Sequence, residues 1–224
     1  LIDALEKIEE RKWEEEVKTM ILVVEDNKAF RIMIKKTLER AGHKVITAKN
    51  GKEGLNSLEN QIPDLIISDI VMPEMDGLTF LKEVRKAYPL IPFTLLTIKS
   101  DLKDYSKGYN LGATDYITKP FEMKTLIKKV QKRLNSYKSI QGVIDNKIDT
   151  INLAEVSLVD FLHTLEVKKS DCTITIFSKE GNGTFIIENG KVKSSDFANL
   201  KGKDAISRAT SLKAGEASII RFND

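Results

Sequence analysis

Asp69-Ile-Val-Met-Pro-Glu-Met-Asp-Gly77 is the stretch on which the fold turns. The apolar run Leu65-Ile66-Ile67 ahead of it has strand length and carries Asp69 to its carboxyl end. Met72-Pro73 and Asp76-Gly77 then break the strand and turn the chain. A carboxylate therefore ends a buried strand and opens a loop. In open α/β sheets, ligands and chemistry gather at that edge. Asp69 reads as a nucleophile that becomes phosphorylated. An isolated Asp in such a place is more often a turn former or a helix cap, so its neighbours have to decide.

Working outward, the same pattern recurs. Met20 to Val24 is an apolar run followed at once by Glu25-Asp26-Asn27. A helical stretch follows, with Phe30, Ile32, Ile34 and Leu38 at its apolar positions and a stop at Ala41-Gly42. A short strand spans about 44–48 and a helix about 52–58. Beyond Asp69, a helix runs near 78–87 and closes before Pro89. Phe93 to Thr97 is the fourth strand, and Asp101 caps a helix reaching about Asn110. Tyr116-Ile117 belongs to a fifth strand, broken by Lys119-Pro120, and a basic helix follows from about Glu122 to Tyr137. Strands alternating with helices predict a parallel sheet covered on both faces, an α/β doubly wound fold. The nearly unbroken apolar runs suit strands buried on both sides.

In such a sheet the carboxyl ends of all strands share one edge. Glu25, Asp26, Asp69, Thr97 and Lys119 are then neighbours, although far apart in sequence. Packed carboxylates repel one another and call for a hard cation with oxygen ligands, of which Mg²⁺ is the natural choice. A Lys to neutralise phosphoryl charge and a Thr to donate a hydrogen bond complete the parts of a phosphoryl transfer. Each residue alone has a plain alternative. Glu25-Asp26 could cap the next helix, Thr97 could be an ordinary β-branched strand residue, and Lys119 a surface lysine. Their joint placement at one edge is harder to obtain by accident.

Four pieces now carry a resemblance: Ile-Leu-Val-Val-Glu-Asp-Asn27, Asp69 to Gly77, Leu-Leu-Thr97, and Gly-Ala-Thr-Asp-Tyr-Ile-Thr-Lys-Pro120. From about Met20 to Tyr137 the chain resembles a CheY-like receiver domain of a bacterial response regulator, a family with sheet order 2-1-3-4-5. The resemblance implies that a histidine kinase phosphorylates Asp69. It implies Mg²⁺ held by Glu25, Asp26, Asp69 and the backbone carbonyl of Val71. Lys119 is expected to contact the phosphoryl group, and its bond to Pro120 to be cis. Thr97 and Tyr116 are the expected switch residues, moving toward the phosphate and inward behind it. That motion would remodel the face formed by the helix after Asp101, the fifth strand and the basic helix. Ile98 departs from the family pattern, which has Ala or Gly there. A bulky Ile98 is expected to crowd the mouth and prolong the phosphoryl state.

The remainder is quieter. Residues 1–18 read as an amphipathic helix through Leu1, Leu5 and Ile8, a connector or the start of a coiled coil, with Glu14-Glu15-Glu16 as a solvated face. A first residue Leu1 suggests a piece of a longer protein. Residues 19–138 make up the receiver unit, and 139–224 a smaller α+β unit. Ser157 opens a helix through Leu158, Phe161, Leu162 and Leu165. Alternating runs Thr173–Phe177 and Thr184–Ile187 are strands, with Gly181-Asn-Gly183 and Asn189-Gly190 read as turns. A helix over 203–212 and a strand over 217–222 close the chain. Ser157-Leu-Val-Asp-Phe-Leu162, Glu188-Asn-Gly190, Gly202-Lys-Asp-Ala-Ile206 and Leu212-Lys-Ala-Gly215 resemble the PATAN domain, named for the N-terminus of PatA-like regulators. That resemblance implies protein interaction, although Ser170-Asp171 replaces the usual Thr-Gly.

Charge separates the output classes. Residues 139–224 hold 11 Lys/Arg against 12 Asp/Glu, no basic footprint for DNA. The basic helix with Lys124, Lys128, Lys129, Lys132 and Arg133 lies in the receiver part and reads as a solvated face. The single Cys172 excludes a disulfide framework and reads as a buried, inert thiol. His163 is a lone helical histidine without a partner pattern. No signal peptide or spanning run is visible, which fits the cytoplasm. The sequence therefore favours a phosphorylation-controlled protein-interaction switch with an unknown downstream partner, and a phosphorylation-dependent homodimer. The alternatives are a DNA-binding transcription regulator, or a receiver controlling an enzymatic output domain. Nothing in the sequence points to enzymatic activity beyond the receiver's own phosphorylation and dephosphorylation.

Overall fold

The computed structural model describes residues 19–98 and 107–221. The helix expected over 1–18, its Leu1, Leu5 and Ile8, the cap Asp101 and the final Phe222 lie outside the described residues. The chain divides into two compact units that meet between Ile127 and Lys128.

The first unit is built on strands β1 (Met20–Val24), β2 (Lys44–Ala48), β3 (Leu65–Asp69), β4 (Phe93–Ile98) and β5 (Asp115–Lys119). They form a parallel sheet in the order β2-β1-β3-β4-β5, the order that the resemblance implied. Ile21 to Val24, Leu65 to Ser68 and Phe93 to Thr97 are all buried, as strands covered on both faces must be. Helices α1 (Lys28–Arg40), α2 (Gly51–Asn60) and α3 (Gly77–Ala87) connect them, and residues 107–110 are helical ahead of β5. The α3 side of the sheet is filled by Phe80, Leu81, Val84 and Phe93, the two rings 5.4 Å apart. Arg85 holds the end of this helix to the turn before β5. Its guanidinium donates to the carbonyls of Gly112 and Tyr88 at 2.8–3.0 Å, and burial lowers its pKa to about 10.

The starts of α1, α2 and α3 are each fixed by a short polar side chain accepting a backbone N–H, the favoured device at that position. Asn27 accepts from Phe30, Asn50 from Glu53 and Asp76 from Thr79, at 2.7–3.0 Å. Asn27, not Glu25 or Asp26, therefore caps α1. Asp76, not Asp69, caps α3. On α1 the apolar pattern divides: Ile34 and Leu38 are buried, whereas Ile32 is 41% exposed.

Helix α4 (Met123–Ile144) continues past the expected end near Tyr137. No breaker occurs before Gly142, and Ile140 and Val143 extend its apolar stripe into the core of the second unit. That unit contains β6 (Thr150–Asn152), α5 (Leu158–Lys168), β7 (Cys172–Ser178), β8 (Gly181–Glu188), β9 (Lys191–Phe197), β10 (Leu200–Lys201), α6 (Gly202–Thr210) and β11 (Glu216–Arg221). The six strands pair antiparallel in the order β10-β9-β8-β7-β11-β6. Ile174, Ile176, Phe185, Ile187 and Phe197 point to one core with Phe161 and Leu165 of α5. Full burial of each such side chain stabilises by about 1.5–3 kcal/mol.

Asn189-Gly190 forms the expected turn, both residues at positive φ. Gly181-Asn182-Gly183, expected as a turn, instead begins β8, and Lys179-Glu180 make the turn. Gly183 is demanded by packing. A Cβ there would stand 2.3 Å from the Asp196 carbonyl oxygen. Ser157 occupies the N-cap position of α5 without a side-chain cap bond. His163 is exposed. Cys172 is 1% exposed, and burial pushes its thiol up to about 11. Among the described residues, no helix is long and apolar enough to cross a membrane.

Candidate functional site

Parallel register sets the site. Val24 lies opposite Ser68, Asp69 opposite Leu96, and Ile98 opposite Lys119. The chain therefore delivers Glu25, Asp69, Ile98 and Lys119 to one sheet edge.

Lys119, at the end of the edge strand β5, reaches the ends of β3 and β1. Its Nζ donates to Asp69 Oδ2 and to Glu25 Oε2, each at 2.8 Å. Glu25 is 2% exposed, the Asp69 side chain 13% and the Lys119 side chain 20%. Burial raises the pKa of Glu25, opposed by its hydrogen bond to Lys119 and helped by the nearby charge of Asp69. Burial alone would lower Lys119, but the hydrogen bonds to Asp69 and Glu25 outweigh it and raise its pKa. The ammonium is thus held protonated between two carboxylates.

The other Asp69 oxygen, Oδ1, accepts from the Ile70 amide at 2.8 Å, so the carboxylate is oriented at both ends. Gly77 closes the loop against this strand end. Its amide donates to the Ile70 carbonyl at 2.8 Å, and a Cβ on it would lie 2.0 Å from the Asp69 carbonyl oxygen. Only glycine permits that approach. Glu74, at φ 63°, accepts from Asn50 Nδ2 at 2.8 Å, and the Gly51 amide donates to Met75 O at 3.0 Å. The loop after Asp69 is therefore tied to the start of α2.

Glu25, Asp26 and Asp69 each offer a carboxylate oxygen, all within 4.8 Å of one another. Three carboxylates and one ammonium leave two uncompensated negative charges, and the donors are hard oxygens. That set fits a small divalent cation such as Mg²⁺. Arg31 steadies the acidic loop from outside, donating to the backbone carbonyls of Glu25 and Asp26.

Other predicted residues stand apart from this contact. Thr97 is 3% exposed, with its hydroxyl donating to the Ile98 carbonyl at 3.2 Å. Tyr116 is 5% exposed, its ring 4.9 Å from that of Tyr109. A Cβ at Gly108 would lie 1.9 Å from Tyr116 Oη, so the ring already stands inward. Val71, two residues past Asp69, is exposed, and Ile98 is half exposed at the end of β4. The Lys119-Pro120 bond is cis.

Two aromatic residues were not singled out for the site by the sequence. The Lys119 ammonium lies 4.9 Å from the centroid of the Phe30 ring, over its face, and Phe30 packs on Phe121 with centroids 5.5 Å apart. Phe121 directly follows Lys119-Pro120, and Phe30 lies four residues after Asp26. An aromatic beside each charged motif was the available signal.

A parallel sheet in this order with this edge defines a receiver, and the comparisons agree. The response regulator receiver domain family matches residues 21–131. Chemotaxis response regulator CheY4 of Vibrio cholerae is 36% identical with a TM-score of 0.50, covering 52% of this chain and 98% of that one. The chain belongs to the response regulator receiver family through this stretch. The alkaline phosphatase synthesis transcriptional regulatory protein PhoP of Bacillus subtilis (strain 168) is 39% identical over 116 residues, 50% of this chain and 48% of PhoP. The DNA-binding transcriptional regulator NtrC of Escherichia coli (strain K12) is 35% identical over 122 residues, 54% of this chain and 26% of NtrC. The chain thus spans a quarter to a half of the length of these curated relatives.

Proposed function

We propose that this protein is a two-component response regulator in which phosphorylation of Asp69 controls a protein-interaction output. The observation that carries the reading is the Asp69–Lys119–Glu25 contact beside Asp26, at the mouth of a receiver sheet. An Asp69 oxygen attacks the phosphorus of a phosphohistidine on the kinase. The O–P bond forms, the P–N bond breaks, and the imidazole leaves with a proton from solvent. Water later attacks the acyl phosphate, releasing inorganic phosphate and restoring the carboxylate. Glu25, Asp26, Asp69 and the Val71 carbonyl would hold Mg²⁺, which supplies charge neutralisation when bound. Lys119 neutralises phosphoryl charge, and the Thr97 hydroxyl turns from Ile98 to the phosphoryl oxygen while Tyr116 remains inward. Ile98, opposite Lys119, narrows the approach for water.

The output is carried by the second unit, a PATAN-like interaction module acting on a downstream protein in the cytoplasm. Self-association through the face containing β5 accompanies phosphorylation. Light scattering with and without beryllofluoride tests it, and the same mass in both states would remove it. DNA binding is the second reading, favoured by the names of PhoP and NtrC. The balanced charge of residues 139–224 weighs against it, as does the separation of α5 from α6 by β7 to β10. A gel shift absent at low salt would eliminate it.

Acetyl phosphate labelling with Mg²⁺ tests the main reading. The parent is expected to gain one phosphoryl group and Asp69→Asn none. Equal labelling of both would overturn the reading.

A further inference from the structure

The Lys119 ammonium has three N–H donors. Two are committed, one to Glu25 and one to Asp69. Beside them lies the face of the Phe30 ring, 4.9 Å from Nζ to the centroid. Cations are attracted to that face by the ring quadrupole within about 6 Å.

Phe30 is anchored for this task rather than merely near. It sits in the first turn of α1, and its own amide is held by Asn27 Oδ1 at 3.0 Å. The next residue, Arg31, grips the carbonyls of Glu25 and Asp26. Against the ring stands Phe121, with centroids 5.5 Å apart and planes tilted by 58°. Seven consecutive residues, Glu25 to Arg31, therefore supply two acids, the helix cap, the ring and the clamp on the acidic loop. The core phenylalanines Phe80 and Phe93 are fully buried. Phe30 is only half-buried, and its ring meets an ammonium as well as another aromatic ring.

We propose that Phe30 is a positioning residue for Lys119, holding the ammonium beside Asp69 by a cation–π contact, with Phe121 packed against the Phe30 ring. The inference rests on the phosphoryl-transfer reading above. Its physical content is that the ring contact does not depend on the state of the carboxylates. When the acids take up other partners, Lys119 loses hydrogen bonds but keeps the ring. The ammonium stays where an incoming phosphoryl oxygen needs it, and its long side chain is not released to solvent.

The test uses the full chain and the variants Phe30→Leu and Phe30→Tyr. Leucine keeps an apolar side chain without a π face, and tyrosine keeps the face. The first readout needs neither metal nor donor: the NMR shift of the Lys119 ε-methylene protons, which a ring face moves upfield. The second is the rate of acetyl phosphate labelling. The expected result is an upfield Lys119 signal in the parent and in Phe30→Tyr, lost in Phe30→Leu. Labelling of Phe30→Leu should slow about two- to fivefold, the range of a partly exposed cation–π contact, and Phe30→Tyr should recover the rate. An unchanged Lys119 signal in Phe30→Leu overturns the proposal, as does equal slowing of both variants. A normal ring shift with no labelling of the parent would instead sink the phosphoryl-transfer reading and leave the Phe30 contact standing.

Discussion

The two sheets of this protein use the same apolar residues for different ends. In the parallel sheet every strand runs the same way, so Glu25, Asp69 and Lys119 emerge together at one edge. In the antiparallel sheet successive strands run in opposite directions, so their turns fall at both ends. Charged residues of the second unit are spread over its helices, turns and strand ends. Arg133 pairs with Asp160, Arg208 with Glu180 and Arg221 with Asp149, each between partly or fully exposed side chains. Such pairs contribute at most about 1 kcal/mol each. Topology, rather than composition, concentrates the charge in one unit and disperses it in the other.

The sharpest way to break this comparison is to damage the second core. Phe161 is fully buried in it, and Phe161→Ala should destabilise the second unit by about 3–5 kcal/mol. Denaturant unfolding should show that loss, while acetyl phosphate labelling keeps the parent rate. Slowed labelling would show that the chemistry of the first unit needs the second.

Gly77→Ala is the counterpart in the first unit. Its Cβ would meet the Asp69 carbonyl at 2.0 Å, so the loop must shift. A cost of about 1–3 kcal/mol is expected, with labelling strongly reduced because Asp69 moves. A variant with parent stability and labelling would show that the close approach is not needed.

Ile98→Ala probes the mouth alone. Autodephosphorylation should quicken several-fold with stability nearly unchanged, because the side chain is half exposed. Identical lifetimes would end the crowding idea.

The smallest effect concerns Cys172. Its folded pKa is raised from 9.0 to about 11 by burial. The neutral thiol therefore favours folding fully below pH 9, and the contribution is lost as pH rises through about 11. A thiol reagent at pH 8 should react with the native protein far more slowly than with the unfolded chain. Equal rates would place the thiol at the surface.

Much of the first unit was legible because its signals are local. Apolar runs of strand length marked β1, β3 and β4, shorter patterns marked β2 and β5, and together they placed Asp69, Glu25 and Lys119 at strand ends. Phe30 was not legible as part of the site, because a phenylalanine on an amphipathic helix looks like core. Only the fold shows a lysine 89 positions later resting over its ring. Asn27 hid behind the two acids before it. In the second unit, β6 and β10 are too short to show a pattern, and the largely polar β9 resembles a loop. The glycines at 181 and 183 looked like turn residues, yet Gly183 answers to the neighbouring strand β9, which no local pattern reveals. The end of α4 was misplaced because Ser139 to Gln141 contains nothing that stops a helix.

The central claim is chemical and names one atom pair, phosphorus on an Asp69 oxygen. Treating the protein with acetyl phosphate and Mg²⁺, then mapping peptides by mass spectrometry, reads it directly. The account predicts one hydroxylamine-labile phosphoryl group on the peptide that contains Asp69. A phosphoryl group on any other peptide, or none on the folded protein, would contradict it.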